Sequence, residues 1–122
     1  MPHYSQRSQE RLESCHEDLI VLFEDVIAVT DCSILCGTRT REDQDLAFSE
    51  GHSQLKYPNS KHNQSPSSAI DVIPYPVDWD DIYSFFHLAG VVKGIAYSRG
   101  IDITWGGDWK SLKDYPHYEL RK

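Results

Sequence analysis

Residues 52–73, HSQLKYPNSKHNQSPSSAIDVI, pass from a polar, proline-broken stretch into a short apolar run. Residues 52–68 are rich in Ser, Pro, Asn and Gln, which is loop composition. The run 69–73, AIDVI, reads as a strand, ended by Pro74 and Pro76, which cannot donate to a ladder. So long a loop is unusual in a small domain, and long structured loops tend to carry function. Ser60 and His62 lie in the loop and Asp71 on the strand that follows it.

On the N-terminal side, residues 8–29 predict one amphipathic helix. Leu12, Cys15, Leu19, Leu22, Phe23, Val26 and Ile27 recur at three- and four-residue steps, and His16 falls on the polar side. Residues 32–37, CSILCG, predict a strand, and 41–50 a helix with Thr40 as cap and Gly51 as stop. On the C-terminal side, 81–99 predicts a second long helix capped by Asp78 or Asp80 and ended at Gly100. Residues 101–105, IDITW, and 117–120, HYEL, predict strands flanking a glycine-containing loop. This order predicts an α+β fold, a small antiparallel sheet with helices packed on it, in one domain over 1–122.

A chain of 122 residues, 39% hydrophobic, can bury a core without disulfide staples. Its net charge of −7 makes it a poor nucleic-acid binder, because phosphate contacts need a basic face. Three cysteines, an odd number, argue against a disulfide framework and for synthesis in a reducing compartment. Cys32 and Cys36 fall on one face of the predicted strand and read as two small core residues; the sharper reading, two thiolates of a zinc site, needs a partner pair, and there is no second close cysteine pair. The N-terminal stretch carries no signal-peptide core, and no run reaches the ~18 apolar residues of a membrane helix. The expectation is a soluble protein made inside the cell, without stable membrane insertion.

Three places carry candidate chemistry. His62 and Asp71 offer imidazole nitrogen and carboxylate oxygen, both good zinc ligands, from adjacent loop and strand. Asp114 precedes His117 by three residues, and Pro116 favours a turn that would aim both at one spot. There Asp114 could act as general base toward a metal-activated water. Arg39 and Gln44, in and after GTRT, could hold a substrate carboxylate or an oxyanion. Each piece alone is common. Two His and one Asp on separate elements form the open ligand set of a hydrolytic zinc site.

The combined pattern is Ser60-x-His62, Ala69-x-Asp71 and Asp114-x-x-His117, preceded by Gly37-x-Arg39-Thr40 and Gln44. It resembles the zinc D-Ala-D-Ala carboxypeptidase and L-alanyl-D-glutamate endopeptidase family, with its hedgehog/DD-peptidase-like fold, and above all the short phage endolysin branch. The resemblance runs from about Leu12 to Leu120. It implies that His62, Asp71 and His117 bind Zn²⁺, that Asp114 is the catalytic base, and that Arg39 polarises the scissile carbonyl or binds substrate. It implies that Ser60 supports the first ligand and that Gln44 and Trp109 stand at the substrate. Trp105 and Trp109, around Gly106 and Gly107, resemble the family's loop before the last ligand, where the rings line the cleft or pack.

The implied activity is cleavage of peptidoglycan stem peptides at the L-Ala–D-Glu bond in host lysis. The alternatives are D-alanyl-D-alanine carboxypeptidase action or a non-catalytic wall-binding module. The implied setting is a monomer made in the host bacterial cytoplasm, released to the wall by a holin-type pore. One feature departs from the family: eight residues, NQSPSSAI, separate His62 from Asp71, two more than usual and without glycine. Extra loop length of this order costs only tenths of a kcal/mol.

Overall fold

Four strands, β1 (Cys32–Cys36), β2 (Ala69–Pro74), β3 (Ile103–Trp105) and β4 (His117–Leu120), form one sheet in the order β1-β2-β4-β3. Every neighbouring pair is antiparallel. The computed structural model describes residues 2–121. Its four helices are α1 (Gln6–Glu13), α2 (Glu17–Val29), α3 (Arg41–Ser49) and α4 (Ile82–Arg99). Short 3₁₀ turns at Lys61–Asn63 and Gly106–Asp108 complete the regular structure. The α+β architecture is the one read from the sequence.

The core lies between the sheet and α2 with α4. Leu19, Leu22, Phe23 and Val26 meet Phe85, Leu88, Ala89 and Val92 over Ile34, Ile70, Val72, Tyr118 and Leu120. Burial of this apolar set is the main favourable term for the fold. Phe23 and Tyr118 meet edge to face at 5.5 Å.

Several element ends move by one or two residues, as at β3, which begins at Ile103 rather than 101, and two further differences concern continuity and capping. Residues 8–29 are not one helix: the chain breaks at Ser14–His16. There the backbone turns to the long loop, with His16 N–H donating to Ser67 O (2.8 Å) and Ser67 N–H to Ser14 O (3.0 Å). Tertiary pairing takes the groups that a continuous helix would have used. His16 is therefore not a mid-helix surface residue but the cap of α2, accepting from Asp18 N–H through Nδ1 at 3.0 Å. The cap of α4 is Asp81, which accepts from Ser84 N–H, rather than Asp78 or Asp80. Thr40 caps α3, and Gly51 and Gly100 end α3 and α4 at φ +79° and +70°.

The register positions the site. Asp71 in β2 lies opposite Cys36 of β1 on one side and His117 of β4 on the other. Directly opposed residues on neighbouring strands share a face, so three chemistry-bearing side chains stand in one row across the sheet. The β1–β2 register shifts between Ile34 and Cys36. Bulges of this kind re-aim side chains. Cys32 stays in the core, whereas Cys36 is half-buried beside the site rather than a second core cysteine.

Candidate metal centre

His62 reaches the row from the 3₁₀ turn. Ser60 caps that turn, accepting from His62 N–H, while Asn63 Oδ1 accepts from Ser60 N–H in return. The turn is tied down further by Arg39 N–H, which donates to His62 O at 2.7 Å. His62 is 2% exposed. Its Nδ1 lies 2.8 Å from Gly37 O. A carbonyl only accepts, so Nδ1 carries the proton and Nε2 faces Asp71 Oδ1 at 3.2 Å. Gly37 is required here, because a Cβ would stand 2.3 Å from Arg11 O. The loop of eight residues thus closes onto Asp71.

His117 mirrors this arrangement. Its Nε2 lies 2.8 Å from Glu119 Oε1, and its Nδ1 lies 3.2 Å from the same Asp71 Oδ1. Glu119 is two residues on in β4, hence on the same face; that period-two spacing was the signal available in the sequence. Glu119 also pairs with Lys61 at 3.3 Å. Ring nitrogens anchored on one side, with the other side directed inward, are how metal-ligating histidines are oriented.

Two imidazole nitrogens approach one carboxylate oxygen, each at 3.2 Å, and need a cation there, although the groups that close to within 4.8 Å throughout, among the described residues, are Cys36–His62–Asp71 and Asp71–Asp114–His117, not the two histidines together. A proton or a divalent metal can fill that need, and an N₂O set suits zinc. With protons there, burial disfavours ionisation of Asp71, but hydrogen bonds from His117 and His62 outweigh it and hold its carboxyl far below the usual range. Burial likewise opposes charge on His62, yet its bonds to Asp71 and Cys36 prevail and push its pKa up to about 10. His117 is also raised, burial being outweighed by Asp71 and Glu119.

Asp114 stands beside the row. One ligand-type atom each of Asp71, Asp114 and His117 lie within 4.8 Å of one another. Its segment turns as Pro116 predicted, His117 N–H donating to Asp114 O at 3.2 Å. The turn presses on Gly106, where a Cβ would lie 2.3 Å from Asp114 O. Burial first, then the charge of Asp71, pushes the Asp114 carboxyl above its ordinary pKa, partly offset by His117, His62 and Arg39.

Cys36, expected from the sequence as a core residue, is a neighbour of the site. Its Sγ is 3.9 Å from His62 Nδ1, and it forms a second group of potential ligand atoms with His62 and Asp71. Burial pushes the other two thiols up, Cys15 to about 12 and Cys32 to about 11, so neither is a ready nucleophile.

A cleft of about 780 Å³ opens over the row, walled by Arg39, Leu55, Ser60, Trp109, Leu112 and Asp114 among others. Trp109 lies 5.1 Å from the His117 ring, whereas Trp105 is buried and donates to Tyr115 O. Arg39 reaches Asp71 Oδ2 at 3.4 Å and Gln44 Oε1 at 2.9 Å. Gln44, expected at the substrate, is fully buried behind Arg39 and donates to Ser53 Oγ and Leu55 O, so it braces the wall of the cleft. His52 is largely exposed at the rim and pairs with Glu50.

A model of the family described as phage L-alanyl-D-glutamate peptidase matches residues 2–122. The L-alanyl-D-glutamate peptidase of Escherichia phage T5 is 32% identical over 95 residues, 75% of this chain and 68% of that protein. The crystal structure of the Serratia marcescens L-Ala D-Glu endopeptidase ChiX is similar with a TM-score of 0.84 at 30% identity, covering 98% of this chain and 90% of that chain. Sequence pattern, sheet topology and both likenesses agree: the chain belongs to the phage L-alanyl-D-glutamate peptidase family.

Proposed function

We propose that the protein is a zinc-dependent endopeptidase that hydrolyses the L-Ala–D-Glu bond of peptidoglycan stem peptides, acting as a phage endolysin. The observation that carries this reading is the approach of His62 Nε2 and His117 Nδ1 to one oxygen of Asp71, each at 3.2 Å, with the outer ring nitrogens anchored. These three residues would hold the zinc. When bound, zinc supplies Lewis acidity to the scissile carbonyl and to the attacking water.

The chain's own groups do the rest. Asp114, with its raised proton affinity, accepts a proton from the attacking water and returns it to the departing amine. Arg39 fixes the second oxygen of Asp71 and has further N–H donors for the substrate carbonyl. Ser60 holds the His62 turn, and Trp109 walls the cleft over His117. No helix among the described residues is long and apolar enough to cross a membrane. In this reading the protein is a monomer made in the host cytoplasm and reaches the wall through a holin-type pore.

The test joins metal content to product identity. Elemental measurement should find roughly one zinc per chain. Asp114→Ala should keep that zinc and lose wall lysis; full activity in the variant would refute the role of Asp114. Mass spectra of digested peptidoglycan should show cuts between L-Ala and D-Glu, and loss of a single terminal D-Ala instead would overturn the endopeptidase reading.

A further inference from the structure

The cleft wall carries three permanent cations, Arg39, Lys61 and Lys113. Two are committed to carboxylates. Arg39 pairs with Asp71 at 3.4 Å and Lys61 with Glu119 at 3.3 Å. Lys113 has no carboxylate partner among the described residues. Its Nζ donates only to two neutral carbonyls, Gly107 O at 3.2 Å and Trp109 O at 2.8 Å. Those bonds hold the ammonium against the turn that carries Trp109, next in sequence to Asp114. An ammonium has three donors, so one donor and the whole charge remain for a ligand.

Such a charge suits an anionic substrate. Asp71, Asp114 and Glu119 all line the cleft, in a chain of net charge −7. With zinc, Arg39 and Lys61 set against those carboxylates, a carboxylate entering beside Lys113 meets a cation that no carboxylate among the described residues offsets. The substrate proposed above supplies that carboxylate. A D-glutamyl residue whose nitrogen forms the scissile amide has two carboxyl groups. One continues the stem and the other is left free, a few bonds from the cut.

We infer that Lys113 binds this free carboxylate and sets a preference for acidic over amidated stem peptides. The inference rests on the endopeptidase reading. Lys113 is a specificity residue, and Arg39 is left to Asp71 and the scissile carbonyl.

Two synthetic stem peptides test it, identical except that the free carboxylate of the D-glutamyl residue is a carboxamide in one. The zinc-loaded wild type should cleave the acid roughly 10- to 100-fold more efficiently in kcat/KM, the worth of one charge-assisted hydrogen bond. Lys113→Met should bring that ratio to about one, chiefly through KM on the acid. Lys113→Arg should keep most of the preference. Loosening of the Trp109 turn slows both peptides alike, so the ratio reads the charge alone. A wild-type ratio near one, or a ratio that survives in Lys113→Met, overturns the assignment while leaving the endopeptidase standing. Failure of the wild type to cut either peptide overturns the endopeptidase reading and the assignment with it.

Discussion

Replacing Gln44 by Leu separates two roles that a residue in this position can have. The side chain is fully buried. Its Oε1 accepts from Arg39 at 2.9 Å and from Asn63 at 3.2 Å, and its Nε2 donates to Ser53 Oγ at 3.0 Å and Leu55 O at 2.7 Å. Leucine preserves most of the volume and removes all four bonds. The bond to the guanidinium is worth roughly 1.5–3 kcal/mol and each neutral one roughly 0.5–1.5 kcal/mol. Ser53 and Leu55 lie near the surface and recover water, so the loss should fall near the lower sum, about 3–4 kcal/mol. For a chain of this size that is a drop in Tm of roughly 10–15 °C. Urea unfolding and thermal melting measure it on metal-saturated protein. Activity should fall with it, because Arg39 loses its anchor and the wall at Leu55 its tether. A direct substrate-binding Gln44 would instead raise KM and leave the melting point alone. A change in stability below about 0.5 kcal/mol would therefore refute the supporting role assigned here.

Three further outcomes follow from the same geometry. His62, raised from 6.5 to about 10, stabilises the metal-free fold fully below pH 6.5 and loses that contribution as pH rises toward 10. Asp71, depressed below 3.8, contributes above that pH and is lost as pH falls through its lower folded value, so chelator-treated protein should melt higher at pH 6 than at pH 9. Zinc competes with the imidazole proton, so stabilisation by added zinc should grow over the same rise in pH; a flat response would contradict the assigned cluster. Glu119→Ala frees the outer nitrogen of His117 and should weaken zinc binding roughly 10- to 100-fold in competitive chelator titration. Gly106→Ala places a Cβ 2.3 Å from Asp114 O. It should cost about 1–3 kcal/mol in unfolding and depress lysis further by displacing Asp114, and normal stability would show that the turn yields.

Helix periods, turn residues and ligand types are local properties, and they were legible. Thr40 caps α3, Gly100 ends α4, and HYEL is β4 residue for residue. The His–Asp–Asp–His pattern and its family could be read before any fold was known, since residue type and spacing carry them. What was missed depends on partners distant in the chain. The break at Ser14–His16 comes from pairing with Ser67, which no helical period encodes. Gln44 looked available because it is polar; packing of Arg39, Ser53, Leu55 and Asn63 around it makes it a buried support. Cys36 leaves the core for the site through a register shift in β1.

By itself, then, the chain's sequence determined which groups are on hand for metal and proton chemistry, because ligand type and local spacing are written in it. Only the tertiary structure decided that they meet. The β1–β2–β4 register sets Cys36, Asp71 and His117 in one row, and the capped turn at Ser60 drops His62 onto it. Strand register and loop closure are set by the whole core at once, and no single segment specifies them.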